Sequence, residues 1–252
     1  MVSIITPSYN SERYIATTIQ SIISQTHNDW ELIIVDDASI DNTCIIISEF
    51  TKEDKRIKLI KQPKNLGAGV ARNTAINIAK GNYIAFLDAD DIWKPNKLEI
   101  QLAYMKSTKA AICFSSYELI SEQGKPLNKI VEALPELTYQ KQIKCNYIGN
   151  LTGIYNVDIL GKLYMPDIKK RQDWVMWLSA IKKGGPARGI KESLAYYRVR
   201  KGALSSNKLN LITYNFNVYK EVLDFGFLKS TRYLILFLFE YFFVKSKQTK
   251  KL

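Results

Sequence analysis

The sequence predicts an α/β protein, with a mainly parallel central sheet flanked by helices in a single domain and a helical segment at the C-terminal end. Three observations carry this expectation. Short β-branched runs alternate with stretches of helical spacing from Val2 to Leu87, the pattern that parallel strands joined by crossover helices produce. The 252 residues suit one large domain or two tightly joined halves, because single cores stop growing near about 250 residues. The composition, 46% hydrophobic and 24% charged with 12 Gly and 7 Pro, excludes disordered, collagenous and linker-rich chains.

Val2 to Thr6 is a β-branched run ended by Pro7, and Glu31 to Val35 is another ended by Asp36 and Asp37; both read as buried strands. Between them Ile15, Ile19, Ile22 and Ile23 recur at helical spacing behind Asn10 and Ser11, which are suited to capping a helix start. A helix near Asn42 to Lys52, a strand at Ile57 to Lys61, a helix near Gly69 to Lys80 and the strand Tyr83 to Leu87 repeat the rhythm. It then changes, with a helix near Pro95 to Ser107, a strand at Ala110 to Ser116, a turn at Gly124 and Pro126, and a helix beginning near Asp173 or Trp174. Tyr233 to Val244 holds eleven apolar residues in twelve, broken by Glu240 and followed by Lys245, Lys247, Lys250 and Lys251. That run is too short to span a bilayer, which takes about 20 residues. It reads either as a core helix or as an interfacial helix whose basic tail meets anionic lipid, since residues 225 to 252 carry six cations against one acid. Met1 leads straight into a strand pattern with no signal-peptide features.

Charge and composition narrow the chemistry. Residues 1 to 50 carry seven acids against Arg13, leaving a net +18 on the remainder of a +12 chain. Nucleic-acid binding would account for the basic remainder but not for acids at strand ends. The lone His27 excludes mechanisms that need several imidazoles, and Cys44, Cys113 and Cys145 are too scattered for a thiolate zinc site or a disulfide framework, which suits a reducing cytoplasm. Acid and base chemistry must therefore rest on carboxylates.

In open α/β sheets ligands bind beyond the carboxyl ends of the strands, and the acids gather there. Asp88, Asp90 and Asp91 follow the strand ending at Leu87. A divalent cation such as Mn²⁺ or Mg²⁺, bridging to phosphate oxygens, would offset their charge; helix-capping aspartates are the alternative. Asp36 and Asp37 end a second strand, with Asp41 placed as a helix cap and Asp37 placed to accept from a nucleotide base. Asn65 to Gly69, followed by Ala71-Arg72-Asn73, is a loop entering a helix whose N-terminus favours anions. Dehydrogenase and P-loop phosphate motifs are both missing.

Thr6-Pro7-Ser8-Tyr9-Asn10, Val35-Asp36-Asp37-Ala38-Ser39 with Asp41, Asn65-x-Gly67 with Ala71-Arg72-Asn73, and Asp88-Ala89-Asp90-Asp91 together resemble the family 2 inverting glycosyltransferases of the GT-A fold. The resemblance is strong to about residue 107, extends to about 206, and does not reach the tail. It implies a nucleotide-sugar-binding half (1–107) and an acceptor-binding half of the same domain (108–206); the apolar run and basic tail add a C-terminal helical segment (207–252) that either associates with membrane or packs as core. It implies that Thr6, Pro7, Tyr9, Asp37 and Asn65 surround the nucleotide, with Asp88 near the ribose, Asp90 on the cation and Arg72 close by. Arg171-Gln172-Asp173-Trp174 resembles the segment that carries the family's general base, with Gln172 where an acid is usual; Asp173 would be that base, with plain helix capping as the alternative. Tyr197-Arg198 and the loop to Ser205 and Ser206 resemble a basic segment that closes over the diphosphate, with Arg198, Arg200 and Lys201 as cations; a solvated basic turn is the alternative. Trp174 and Trp177 would face a sugar or, preferably, pack in the core. The expected reaction is transfer from a nucleotide sugar, UDP-linked by preference, to a glycan hydroxyl on a lipid-linked or surface-polysaccharide precursor at the inner face of the plasma membrane. A metal-dependent nucleotidyltransferase and a non-catalytic sugar-nucleotide or membrane-binding module are the alternatives.

Overall fold

The computed structural model describes residues 1–200 and 208–252, and side chains of 208–211 fall outside the description. The first half alternates as expected: β1 (Val2–Ser8), α1 (Ile15–Ile23), β2 (Trp30–Asp36), α2 (Thr43–Glu53), β3 (Ile57–Lys61), α3 (Ala68–Ile78) and β4 (Tyr83–Phe86). The strands pair in parallel in the order β3-β2-β1-β4. Every residue of β1 and β2 is buried, as expected for strands covered by helices on both faces.

The second half extends the same sheet. Its elements are β5 (Ile92–Trp93), α4 (Lys97–Thr108), β6 (Ile112–Ile120), β7 (Pro126–Val131), β8 (Glu136–Leu137), α5 (Tyr139–Gln142), β9 (Ile154–Asn156), α6 (Val157–Leu160), α7 (Gln172–Gly184) and β10 (Ala187–Arg198). The short strand β9 lies antiparallel between β4 and β6, while β10 runs parallel to β6. Side chains alternate across the sheet. Ile5, Ile33, Phe86 and Phe114 pack with α3 and α7 on one face, and Ile4, Leu32, Ala85 and Cys113 with α1 and α4 on the other.

Two local expectations change. Neither Asn10 nor Ser11 caps α1. The Asn10 Oδ1 accepts the Ile40 N–H at 3.0 Å, and the Ser11 hydroxyl donates to the Tyr9 carbonyl. The Asn10 side chain thus joins the loops after β1 and β2, and the Ser11 hydroxyl closes a turn within its own loop. Asp41 does serve α2, accepting the Thr43 N–H at 3.0 Å and its hydroxyl at 2.5 Å.

The C-terminal region comprises α8 (Lys208–Asn217), a π-helical turn to Val222, α9 (Phe227–Phe239), a second π-helical stretch from Glu240 to Val244, and β11 (Thr249–Lys251), which pairs with the edge of β7. Phe237 is buried against Trp174 of α7, and Tyr233 packs on Tyr219. Leu228, Ile235, Phe239, Phe242 and Phe243 remain exposed. The tail is thus core on its inner side and apolar on its outer side. Among the described residues, no helix is long and apolar enough to cross a membrane.

Candidate active site

The register brings the carboxyl ends of three strands to one rim, with Ser8 opposite Asp36, and Ile5 opposite Phe86 just before Leu87 and Asp88. Asp36 is structural, accepting from the Ser8 hydroxyl at 3.0 Å and from the Ser39 N–H and hydroxyl at 2.9 and 2.6 Å. Asp37 accepts the Leu66 and Gly67 N–H groups, each at 2.7 Å. It therefore docks the Asn65–Gly67 loop on the end of β2, and its remaining lone pairs are what it can offer a ligand. Gly67 has φ of 91°, a left-handed conformation that glycine adopts without strain. Asn65 and Tyr9 are exposed along this rim, Pro7 lies opposite Val35, and the buried Thr6 hydroxyl has no hydrogen-bond partner among the described residues.

Arg72 rises from α3 and pairs with Asp88 at 2.5 Å. Burial alone would push Arg72 down, but Asp88, and beyond it Asp173 and Asp90, hold the guanidinium above its ordinary value. One buried cation thus lies within the field of three carboxylates drawn from two distant stretches of chain. Asp90 is raised by burial and then by the Asp88 charge. Its carboxylate meets the Arg200 Nε at 2.6 Å. Asp91 is fully enclosed and accepts the Arg198 N–H at 2.9 Å; burial and its acidic neighbours push it well up. It braces the loop.

Arg198 is buried, donating through Nε to the Asp90 carbonyl at 2.7 Å and through Nη1 to the Glu122 carbonyl at 3.0 Å. Its guanidinium therefore ties the acidic loop to the turn after β6, while Arg200 provides the direct ion pair. Both guanidinium groups lie over the Tyr14 ring, at 5.0 and 5.4 Å. Lys201, Ser205 and Ser206 lie outside the described residues.

Asp173 sits in the first turn of α7, where a helix N-terminus favours negative charge. Asn146 Nδ2 donates to its Oδ2 at 2.8 Å. The helix is fixed by its tryptophans: Trp174 Nε1 donates to the Gln142 carbonyl at 2.7 Å, and Trp177 meets Phe86 edge-on at 5.7 Å. Both are fully buried, so core packing is their role. Gln172 lies against the bare backbone of Gly69, which lets the start of α7 approach the start of α3. Asn146 and Gln142 carry no sequence signal for this site.

The acids suit an ion shared with a ligand. Among the described residues no three His, Cys, Asp or Glu side chains gather to hold a metal, but Asp90 offers one carboxylate whose burial beside Asp88 a cation would relieve. Phosphate oxygens would have to complete such a coordination shell.

The pattern of Glycosyl transferase family 2 matches residues 3–156. A provisionally named teichuronic acid biosynthesis glycosyltransferase, TuaG of Bacillus subtilis, is 44% identical over 231 residues, covering 92% of each chain. The chain belongs to glycosyl transferase family 2. As a family 2 glycosyltransferase it is an enzyme, which removes the binding-module and nucleotidyltransferase alternatives. It is also 40% identical over 209 residues to WfgD of Escherichia coli, named as a UDP-Glc:alpha-D-GlcNAc-diphosphoundecaprenol beta-1,3-glucosyltransferase, covering 82% of this chain and 81% of that one. Among solved structures, Staphylococcus aureus TarS residues 1–349 with UDP-GlcNAc aligns with TM-score 0.75 at 24% identity, covering 96% of this chain and 73% of that one. The mannosyltransferase PcManGT from Pyrobaculum calidifontis, with GDP-Man and Mn²⁺, aligns with TM-score 0.67 at 15% identity, covering 98% of this chain and 71% of that one. Both share its GT-A architecture.

Proposed function

We propose that this glycosyltransferase works with inversion, moving a sugar from a UDP-sugar donor to a hydroxyl of a lipid-linked or surface-polysaccharide precursor. The observation that carries the reading is the pairing of Asp88 with the buried Arg72, in whose field Asp90 and Asp173 also lie, together with the close approach of Gln172 at the start of α7 to Gly69 at the start of α3, because inverting transfer needs a donor-phosphate site and a base flanking one sugar. Residues 1–107 would bind the donor, residues 108–206 the acceptor. Thr6, Pro7, Tyr9, Asp37 and Asn65 border the base and Asp88 the ribose. Arg72 and Arg200 face the diphosphate, with Arg198 bracing the loop that holds them.

In this mechanism Asp173 takes the proton of the acceptor hydroxyl as its oxygen attacks the anomeric carbon. The new glycosidic bond forms as the bond from the anomeric carbon to the phosphate oxygen breaks, and the electron pair leaves on UDP. Arg72 and Arg200 meet that developing charge with dipoles and cations already in position. Asp90 would hold a Mn²⁺ or Mg²⁺ ion, which when bound neutralises the diphosphate.

The donor and acceptor classes are supported by the names of the relatives. The exposed apolar side of α9 and the basic residues after it support a peripheral seat on the anionic inner face of the plasma membrane, where a lipid-linked acceptor would be found. A panel of sugar nucleotides with GlcNAc-diphosphoundecaprenol and Mn²⁺ tests the reaction by UDP release. Asp173→Asn is expected to keep UDP binding by calorimetry while transfer falls about 10²- to 10⁴-fold. Wild-type transfer in that variant would remove Asp173 from the mechanism.

A further inference from the structure

The loop between α5 and β9 is built around Asn146. Its Oδ1 accepts from Gln142 Nε2 at 2.9 Å, and its Nδ2 donates to Asp173 Oδ2 at 2.8 Å. Gln142 is fully buried; its own Oε1 accepts the Tyr147 N–H at 2.9 Å and its carbonyl accepts from Trp174 Nε1. With the Gln142 Oε1 already engaged, its amide nitrogen must face Asn146, so the Asn146 oxygen faces Gln142 and the Asn146 nitrogen faces Asp173. The direction of donation along Gln142, Asn146 and Asp173 is thereby set by the buried end.

The same loop is gripped from the C-terminal region. Lys245 Nζ donates to the Asn146 carbonyl, and Glu240 pairs with Lys141 and accepts from the Tyr147 hydroxyl. Burial would raise Glu240, but these hydrogen bonds more than offset it and hold the carboxyl below its ordinary value. The loop is therefore clamped from the C-terminal region, which leaves the Asn146 amide little freedom.

We propose that Asn146 is a positioning residue for this transferase, holding Oδ2 of Asp173 so that Oδ1 is presented to the acceptor hydroxyl. The proposal rests on the reading of Asp173 as general base. An aspartate side chain rotates about two bonds, and a base that wanders by about 1 Å loses about two orders of magnitude in rate. A single donated hydrogen bond from a side chain that is itself oriented removes that freedom. The mutual order of the parts resembles any relay in which a third group orients the base.

Asn146→Leu keeps the number and branching of the side-chain heavy atoms and removes the donor to Asp173 together with the acceptor for Gln142; Asn146→His restores an N–H at similar reach. Asn146→Leu is expected to lower kcat about 10- to 100-fold, with donor and acceptor KM and UDP binding unchanged, the split that marks an interaction used in the transition state. Asn146→His is expected to recover most of that loss. Independently of turnover, crystals of the Asn146→Leu protein are expected to show the Asp173 carboxylate turned from its present orientation. Wild-type kcat in Asn146→Leu, a loss that appears in UDP binding or melting temperature instead of kcat, failure of Asn146→His to recover, or an unmoved Asp173 would each overturn the proposal. Asp173→Asn run alongside separates the two readings: if it stays active, the base assignment fails; if it is inactive while Asn146→Leu is normal, only the positioning role fails.

Discussion

Lys97 is completely enclosed, with Nζ 2.5 Å from Gln101 Oε1 and 3.9 Å from the centre of the Trp93 ring. Burial pushes its ammonium group down from 10.5 to about 7. Below that value the folded protein keeps a charge in its interior. Between it and the ordinary lysine value the unfolded chain holds a proton that the folded one has released, so stability rises with pH across the window. Lys97→Met is expected to stabilise the fold by about 1–3 kcal/mol near about pH 6, and the gain should shrink as pH is raised toward about 9. Urea unfolding at both pH values checks this; a gain that does not change with pH would show that Lys97 does not titrate there. At this scale the rim acids were legible because unpaired carboxylates behind an apolar strand demand a cation. Their partners were not. Asp37 is spent on two backbone N–H groups and Arg198 on two carbonyls, and these acceptors and donors come from loops far away in sequence.

Strand and helix identities followed from periodicity, and β3 spans the expected Ile57–Lys61. Differences arise where a neighbour decides. The strand after Ala110 continues to Ile120 because β7 and β10 supply ladders for Tyr117 to Ile120. Helix α7 shows how an element aims a site residue. Trp177 lies between Phe86 and Tyr155, at 5.7 and 6.3 Å, one turn from Asp173. Gly153 makes room for it: a Cβ there would lie 2.2 Å from Trp177 Cζ2. Gly153 has φ of −74°, so its need for glycine is one of space and not of backbone strain. Gly153→Ala is expected to cost about 1–3 kcal/mol through overpacking, read as a lower urea midpoint, with a loss of transfer as α7 shifts. An unchanged midpoint would mean that Trp177 can move aside freely.

Across the whole molecule the C-terminal segment joins two roles. Phe237 covers Trp174, while Glu240 and Lys245 hold the loop that carries Asn146. Deleting the segment would therefore release the loop that carries Asn146 and uncover Trp174. Replacing Ile235, Phe239 and Phe243 by Ser removes only exposed apolar surface. This triple variant is expected to fold normally and to lose about tenfold or more of its binding to anionic vesicles in co-sedimentation, since each buried apolar side chain contributes about 1.5–3 kcal/mol. Undiminished binding would exclude this face as the membrane contact. The amino-acid sequence by itself determined the α/β class, the order of the early elements, the acidic rim and the family, because hydrophobic period and local motifs act over a few residues. Only the tertiary structure decided that Asp173 shares the field of Arg72, that Asn146 donates a hydrogen bond to it, and that the tail is core on one side and bare on the other. Those are relations between surfaces whose residues lie up to 101 positions apart, as Arg72 and Asp173 do, and no local pattern encodes them.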